Sequence, residues 1–337
     1  MTAPPHAKGH EPLLDVRGLS VAFPGRQGWI PVVEDMDVRI MPGEVVGIVG
    51  ESGCGKSSLA LALLGLLPRW AGARVTGQAF FDGAELLSLD PKAMRRVRGD
   101  RIAMIPQDPM GALNPLFAVG SQVEEAILAH GRANGAQPRK QALELLGSVR
   151  LDDPETRARQ YPHELSGGMR QRVVGAIAMA GGPDLLIADE PTTALDVTVQ
   201  AQYLDLLRDL QRSRGLSILF ITHDLGVVAT LCDRVIVMYA GRKVEEASVS
   251  DLFASPRHWY TRALLDSVPP LLEDRDELAT IPGTPPRPES TLAGCRFAPR
   301  CPNGAAKCRE EEPVLAAAGE SSVCRCWFPL PERHRDG

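Results

Sequence analysis

The sequence lacks any apolar run long enough to cross a membrane. A membrane-spanning helix needs about 20 consecutive apolar residues, and the longest candidate, LALALLGLL at 59–67, falls well short of that. The first twelve residues, MTAPPHAKGHEP, also lack the apolar segment of a secretory signal. We therefore expect a soluble, cytoplasmic protein whose residues 1–12 form a flexible tail.

A basic excess is absent as well. The 337 residues include 37 Lys and Arg against 42 Asp and Glu, which gives a formal net charge of −5. This charge argues against a protein that wraps nucleic acid non-specifically, so we expect no nucleic-acid partner. Apolar residues make up 44% and charged residues 23%, as in globular proteins. The length indicates one large domain or two ordinary ones.

Cysteine is scarce until the C-terminal region. Five of the seven cysteines lie within residues 295–337. In a small secreted protein such a cluster would form a disulfide framework. In a reducing cytoplasm, clustered cysteines more often hold a metal.

Strand-like and helix-like segments alternate along the chain. Residues 108–166 have a helical pattern, and an amphipathic helix is predicted over Val197–Arg214. Strands are predicted at 13–23, 32–40, 44–50, 185–189 and 217–223, and as one strand over 235–247. This alternation predicts an α/β sheet with a helical insertion. From residue 268 a Pro-rich, acidic stretch predicts a linker or an extended arm on the surface.

Residues 50–57, GESGCGKS, fit the phosphate-loop pattern G-x-x-x-x-G-K-[ST] between a predicted strand and a predicted helix. The glycines let backbone N–H groups point at phosphate oxygens, and the helix adds its positive N-terminal end. Lys56 would reach the β- and γ-phosphates, and the Ser57 hydroxyl would ligate Mg²⁺. A chance glycine-rich turn is the alternative, but the flanking strand and helix favour the phosphate loop.

Two acids end the apolar run LLIADE at 185–190. Asp189 would lie beside the phosphate loop and hold Mg²⁺ through water, and Glu190 would act as general base on an attacking water. An ordinary strand with a polar turn is the alternative. The phosphate loop upstream favours the catalytic interpretation.

Residues 165–171, LSGGMRQ, resemble the LSGGQ signature of ABC ATPases, with Met169 where glutamine is commonest. The resemblance implies an α/β P-loop fold with a RecA-like core, an antiparallel β subdomain and a helical signature subdomain. It also implies that Ser166, Gly167 and Gly168 bind the γ-phosphate of ATP held by a second ATPase subunit, identical or related, in a head-to-tail dimer.

Further positions match the same family. Gln107 in IPQDP is similar to the Q-loop residue that senses Mg²⁺ and couples to the membrane partner. Asp196 in TTALD matches the D-loop at the dimer interface, and His223 in FITHD matches the switch histidine that positions the attacking water. Phe23 lies where the family places an aromatic residue against adenine; Trp29 is its rival, and a strand-core role for Phe23 stays open. The residues expected to bind ATP are Phe23, Gly50, Ser52, Gly53, Gly55, Lys56, Ser57, Ser58, Gln107 and Asp189. The expected catalytic residues are Glu190, His223 and Gln107. The expected Mg²⁺ ligands are Ser57, Gln107 and Asp189.

The C-terminal segments 255–269, 281–286 and 294–302 look like the extension of oligopeptide/dipeptide (peptide/nickel) importer ATPases. His258-Trp259-Tyr260 stands where that group usually has His-Pro-Tyr. The resemblance implies an ATPase domain over 13–255, with a helical subdomain at about 108–168, and a Cys-rich extension over 256–337. It implies two permease subunits, an extracytoplasmic solute-binding protein and a place on the cytoplasmic face of the membrane.

The C-terminal cysteines have the spacing C-x5-C-x6-C, without the close pairs usual in structural zinc sites. Four thiolates at irregular spacing suit a [4Fe–4S] cluster, to which this importer group has been linked. The expected ligands are Cys295, Cys301, Cys308 and Cys326, with Cys324 in reserve. Zinc and reduced structural thiols remain the alternatives.

The favoured function is ATP hydrolysis that energises peptide import. Transport of nickel or another solute, and an exporter ATPase, share the same motifs and stay open. A soluble ABC ATPase of translation would normally carry two cassettes, and one of DNA repair would separate its motifs by long coiled coils. Here each motif occurs once, and only 110 residues separate Lys56 from Ser166.

Overall fold

The computed structural model describes residues 11–26, 28–131, 137–268, 280–290, 292–319 and 321–332. Most of the expected N-terminal tail and residues 269–279 of the Pro-rich stretch lie outside these ranges. The strands within them are β1 (Leu14–Gly25), β2 (Gly28–Ile40), β3 (Val45–Val49), β4 (Arg74–Phe81), β5 (Ala84–Glu85), β6 (Ile102–Ile105), β7 (Leu185–Asp189), β8 (Ser217–Thr222), β9 (Arg234–Tyr239), β10 (Arg242–Ser248), β11 (Ala316–Ala317) and β12 (Val323–Cys324).

The helices surround these strands, and none in the described ranges is long and apolar enough to span a bilayer. They are α1 (Lys56–Leu63), α2 (Pro91–Val97), α3 (Pro109–Ala112), α4 (Val119–Ala129), α5 (Pro138–Ser148), α6 (Pro154–Arg157), α7 (Gly167–Met179), α8 (Val197–Arg214), α9 (Leu225–Leu231), α10 (Val249–Ala254), α11 (Trp259–Asp266) and α12 (Ala306–Glu310).

The larger sheet has the order β11-β12-β10-β9-β3-β8-β7-β6, in which the strands from β9 to β6 run parallel. Every residue of β3, β7 and β8 is buried. Parallel strands covered on both faces must be apolar throughout, which explains the short continuous apolar runs in the sequence. Because parallel strands end at the same side of a sheet, the segments after β3, β7 and β8 meet there.

The second sheet is antiparallel, in the order β2-β1-β4-β5. Its apolar face shares one core with α1 and the large sheet, as the joint cluster of Leu19, Ile40, Leu59 and Ile48 illustrates. The expected combination of an α/β core with an antiparallel β subdomain is therefore confirmed.

Helices α3 to α6 lie between β6 and α7 in the chain. Val123 of α4, Leu146 of α5 and Val173 of α7 are fully buried in a single apolar cluster. The helical pattern expected over 108–166 thus corresponds to several short helices packed on α7.

The single strand expected over 235–247 is wrong. The segment is the hairpin β9–β10, with Tyr239 opposite Arg242. Ala240 and Gly241 make the turn with φ values of +45° and +86°. Alanine seldom adopts a positive φ, so the sequence carries only half of the usual two-residue turn signal.

The C-terminal region joins the large sheet. In β12, Val323 pairs with Glu246 and Cys324 pairs with Glu245 of β10. Arg325 follows β12, and its backbone N–H donates to the carbonyl of Val244. This part of the chain is therefore hydrogen-bonded to the core in addition to packing on its surface.

Candidate functional site

The loop between β3 and α1 requires glycine at three positions. Gly53 and Gly55 have φ values of +78° and +102°, which other residues rarely adopt. A Cβ atom on Gly50 would lie 2.1 Å from the carbonyl oxygen of Met238. The loop can therefore curl closely against the end of β9 and direct its amides to the start of α1, where an anion is favoured.

Lys56 is the first residue of α1 and only 4% exposed. Its ammonium group donates to the carbonyls of Gly50, at 2.7 Å, and Glu51, at 3.1 Å. The side chain is thus folded back along the loop, with its charge solvated by loop carbonyls. Ser52 is exposed and Ser58 is half-buried.

Ser57 and Asp189 bring two oxygen donors together from α1 and β7. The Ser57 hydroxyl donates to Asp189 Oδ1 at 3.1 Å. Burial raises the pKa of Asp189, and the nearby charge of Glu190 raises it further, against the hydrogen bond from Ser57. A hydroxyl beside a buried carboxylate is a donor set that suits Mg²⁺.

Glu190 follows β7 and has a φ of +46°. Three side chains reach its Oε2 atom: His223 Nδ1 lies at 3.2 Å, Thr193 Oγ1 donates at 3.0 Å and Gln107 Nε2 donates at 3.3 Å. The Glu190 side chain is 11% exposed, whereas that of His223 is 54% exposed. The three expected catalytic residues, which follow β6, β7 and β8, are therefore within hydrogen-bond distance in one cluster.

The LSGGMRQ segment opens α7. Ser166 caps this helix, since its hydroxyl accepts the N–H of Met169 at 3.4 Å, and Ser166 and Gly167 are exposed. Asp196 caps α8 in the same way, with Oδ1 accepting the N–H of Val199 at 2.9 Å. A Cβ atom on Gly168 would lie 2.5 Å from Val199 Cγ1, so the signature and Asp196 lie beside each other on the surface.

The two aromatic candidates for adenine stacking differ in their surroundings. Phe23 of β1 is partly buried against the core cluster of the antiparallel sheet. Trp29 of β2 is 46% exposed, and the Arg74 guanidinium lies over its ring, 4.2 Å from the centroid.

Four C-terminal cysteines, Cys295, Cys301, Cys308 and Cys326, line one narrow pocket, and all seven cysteines are free thiols. Cys324 is instead in β12, opposite Glu245. Burial raises the pKa of Cys295 to about 11. No group of three or more His, Cys, Asp or Glu side chains in the described ranges has the arrangement of a metal site.

Two protein-family models match the chain, one after the other. The model described as ABC transporter matches residues 33–193, and the model described as Oligopeptide/dipeptide transporter, C-terminal region, matches residues 244–308. The first range includes the phosphate loop, Glu190 and the signature, and the second includes three of the four pocket cysteines.

Relatives match almost the whole length. A probable peptide ABC transporter ATP-binding protein of Sinorhizobium fredii is 53% identical over 316 residues, covering 94% of each chain. The dipeptide transport ATP-binding protein DppD of Bacillus subtilis is 46% identical over 318 residues, covering 94% of this chain and 95% of its own. The chain belongs to the ABC transporter ATP-binding family, in its oligopeptide/dipeptide importer group.

A solved structure supports the same assignment. A dimeric ATP-binding cassette in a post-hydrolysis state, bound to ADP and Pi, superposes with a TM-score of 0.62 at 28% identity. It covers 70% of this chain and 98% of its own. The chain is thus an ABC ATPase, and the fold and enzymatic activity expected from its motifs are confirmed.

Motif spacing did not reveal every side chain around the nucleotide loop of this ABC ATPase. Thr193 was missed because a threonine after Glu190 has no distinctive spacing. Glu51, a variable loop position, contacts Tyr260 and Arg300 of the C-terminal region. Those partners lie more than 200 positions away in sequence, so no local signal could have identified them.

Proposed function

We propose that this ABC ATPase hydrolyses ATP to drive the import of di- or oligopeptides through two membrane permease subunits. Relatives named for peptide and dipeptide transport support this substrate class. The observation that carries it is the match of residues 244–308 to the oligopeptide/dipeptide transporter C-terminal region, in a chain that also has an intact Glu190 cluster. In this proposal the ATPase domain spans 13–255 and the extension 256–337. The chain sits on the cytoplasmic face of the membrane, and a solute-binding protein delivers the peptide from outside.

ATP binding is assigned to the loop between β3 and α1. Backbone amides from Gly50 to Ser58 would surround the phosphates, and Lys56 would exchange its loop carbonyls for phosphate oxygens. Mg²⁺ would be held by Ser57, Asp189 and Gln107, and would neutralise charge on the β- and γ-phosphates. Phe23 would stack on adenine, with Trp29 as its rival.

Hydrolysis is assigned to the Glu190 cluster. A carboxylate that accepts hydrogen bonds from His223, Thr193 and Gln107 is fixed in orientation. Glu190 would take a proton from the attacking water as general base. His223, which is exposed enough to meet solvent, would hold the water and the γ-phosphate in line, because positioning dominates phosphoryl transfer.

The signature would serve a second subunit. Ser166 and the following Gly167 and Gly168 form a helix start at which Ser166 and Gly167 are exposed, and anions bind favourably at such a position. In a head-to-tail dimer they would meet the γ-phosphate of the partner's ATP, with Asp196 beside them at the interface. Gln107 and helices α3 to α6 would transmit closure of this dimer to the permeases.

The four pocket cysteines are assigned to a [4Fe–4S] cluster, with zinc as the alternative. Four thiol donors lining one pocket match the ligand number of such clusters. Cys326 would be the fourth ligand, a choice that its place in the pocket lining supports, with Cys324 in reserve. The cluster would be structural or sensory, since the proposed hydrolysis requires no electron transfer.

Metal analysis tests that assignment. Anaerobically purified protein should contain about four iron and about four acid-labile sulfide per chain, and Cys301→Ser should lose both. A Cys232→Ser variant, outside the pocket, is the control. Stoichiometric zinc would show a zinc site instead of the cluster. Absence of iron, sulfide and zinc would show that the four cysteines are reduced thiols without a metal.

Reconstitution tests the transport function. The full chain should be co-purified with its permease partners and the complex reconstituted in liposomes that contain ATP. Uptake of a labelled dipeptide is then measured with the solute-binding protein outside the liposomes. Peptide-stimulated uptake that is lost in Glu190→Gln supports the proposal. Uptake of nickel without peptide, peptide export, or co-purification with ribosomes or DNA would overturn it.

A further inference from the structure

The C-terminal extension contacts the phosphate loop at Glu51. The guanidinium of Arg300 donates two hydrogen bonds to its carboxylate, from Nη1 to Oε2 at 2.7 Å and from Nη2 to Oε1 at 2.9 Å. Such a paired contact fixes both distance and orientation. It joins residues that lie 249 positions apart in sequence.

A second extension residue holds the backbone of Glu51. The backbone N–H of Glu51 donates to the hydroxyl of Tyr260, in α11, at 2.9 Å. The Tyr260 ring is fully buried and packs on Tyr239 and Phe297, with centroids 4.5 Å and 5.3 Å away. Both the side chain and the backbone of Glu51 are therefore fixed by the extension.

The Arg300 side chain is only 4% exposed, and that of Glu51 is 25% exposed. The remaining donors of Arg300 are also used, on the carbonyls of Pro282 at 2.9 Å and Ile281 at 3.3 Å and on the hydroxyl of Tyr239 at 3.2 Å. The hydrogen bonds that Arg300 donates to Glu51 and Tyr239 raise its pKa, so it stays charged. A buried cation with one carboxylate partner fixes that partner firmly, because separating them leaves the charge uncompensated.

Glu51 in turn contacts Lys56. Its carbonyl accepts from the Lys56 ammonium at 3.1 Å, next to the carbonyl of Gly50 at 2.7 Å. Glu51 thus lies between the extension on one side and the phosphate-binding lysine on the other. A change in its position would alter the loop geometry that presents Lys56 to a nucleotide.

We propose that Arg300 is a positioning residue for ATP: through Glu51, it holds the phosphate loop in the shape that binds nucleotide. The extension then sets the affinity for ATP and leaves the hydrolytic step to the Glu190 cluster. This inference rests on the assignment of the Lys56 loop to the phosphates proposed above.

ATP affinity and kinetics of the full chain test the inference. Arg300→Ala should raise the Kd and KM for ATP on the order of tenfold, the equivalent of losing one charged hydrogen-bond pair, with kcat changed less than about twofold. Arg325→Ala is the matched control. Arg325 is also a buried extension arginine, and its contacts are with Lys243 and Asp35 of the core; its removal should leave ATP affinity unchanged.

A double-mutant cycle separates positioning from general destabilisation. If Arg300 acts through Glu51, Arg300→Ala with Glu51→Ala should bind ATP no more weakly than the weaker single variant. Additive losses would overturn the inference, and so would equal weakening in Arg325→Ala. If Arg300→Ala does not fold, the same cycle is measured with Arg300→Lys in place of Arg300→Ala and Glu51→Gln in place of Glu51→Ala. Lysine keeps the charge of Arg300 and loses the paired geometry.

Lys56→Ala distinguishes failure of the inference from failure of the site assignment. Normal ATP binding in Lys56→Ala would overturn the assignment of the loop, and the inference with it. Loss of ATP binding in Lys56→Ala together with wild-type affinity in Arg300→Ala would overturn the inference alone.

Discussion

His223 Nδ1 lies 3.2 Å from Glu190 Oε2, although the two residues follow different strands of the sheet. The adjacent parallel strands β7 and β8 end side by side, and the Glu190 backbone N–H donates to the carbonyl of Ile221 in β8 at 2.9 Å. The proposed catalytic pair is thus held at the ends of two strands that are hydrogen-bonded to each other. An isosteric change at Glu190 should affect chemistry without moving the loop that binds ATP.

Glu190→Gln should lower kcat for ATP hydrolysis by about 10²–10⁴-fold, the usual contribution of a general base. The amide keeps the shape of the side chain but cannot accept the proton, so the Kd for ATP should stay within a few-fold. Phosphate release and binding of a fluorescent ATP analogue measure the two quantities. Glu155→Gln, on the exposed helix α6, is the control; comparable activity in both variants would remove Glu190 from the mechanism.

Ser57→Ala should raise the Mg²⁺ concentration needed for half-maximal ATPase activity by about tenfold or more. Even loss of a side chain that only orients a metal ligand typically weakens metal binding by this factor. The variant loses the hydroxyl that lies 3.1 Å from Asp189 Oδ1. Titration of activity with Mg²⁺ at saturating ATP measures the effect. An unchanged Mg²⁺ midpoint with reduced ATP affinity would instead place Ser57 on the phosphates.

Protonation of His258 should destabilise the fold in mild acid. Burial lowers the pKa of His258 to about 4, below its ordinary value of 6.5. Between pH 6.5 and pH 4 the unfolded chain therefore binds the extra proton, and the free energy of unfolding falls as the pH falls. The two values predict a loss of about 2 kcal/mol between pH 7 and pH 5.

Denaturant unfolding at both pH values checks this prediction in the wild type and in His258→Gln. The comparison cancels the other titrating groups, including buried Glu245, whose pKa burial raises. The wild type should lose about 2 kcal/mol more than the variant. Equal losses in the two proteins would show that His258 titrates normally in the fold.

Gly181→Ala should destabilise the protein by about 3 kcal/mol, because the added Cβ atom would lie 1.9 Å from the carbonyl oxygen of Gly99 and the backbone would have to move. Gly147→Ala is a matched control in the exposed face of α5, where the nearest atom to the new Cβ is Pro154 Cγ at 3.9 Å. That change should stabilise the protein by about 0.5–1 kcal/mol. Opposite shifts of Tm in the two variants are the expected result, and a tolerated Gly181→Ala would contradict the close approach.

Sequence patterns predicted the elements whose cause is local. The bounds of α8 match the expected Val197–Arg214, since both its apolar stripe and the Asp196 cap that precedes it are visible in the local sequence. Strands β3 and β7 were predictable because burial on both faces demands continuous apolar residues. The proximity of Gln107, Glu190 and His223 was expected from motif order combined with the resemblance to the family, and their catalytic roles stay a proposal.

The features that escaped prediction depend on contacts between distant segments. The β9–β10 turn has an alanine at positive φ, a conformation that the sequence pattern does not signal. The Arg300–Glu51 pair forms only after the extension has folded onto the ATPase core. In the sequence, no local pattern distinguishes Glu51 or Arg300 from a charged residue on the surface.

The pairing of β12 with β10 has a consequence for how the chain can be shortened. A strand that ends a sheet presents unpaired backbone N–H and C=O groups, to which strands of other molecules can add. Residues 323 and 324 occupy those groups at Glu245 and Glu246. A truncated cassette without them would expose β10 as a template for intermolecular strand addition, so the extension also covers this edge of the β9–β10 hairpin.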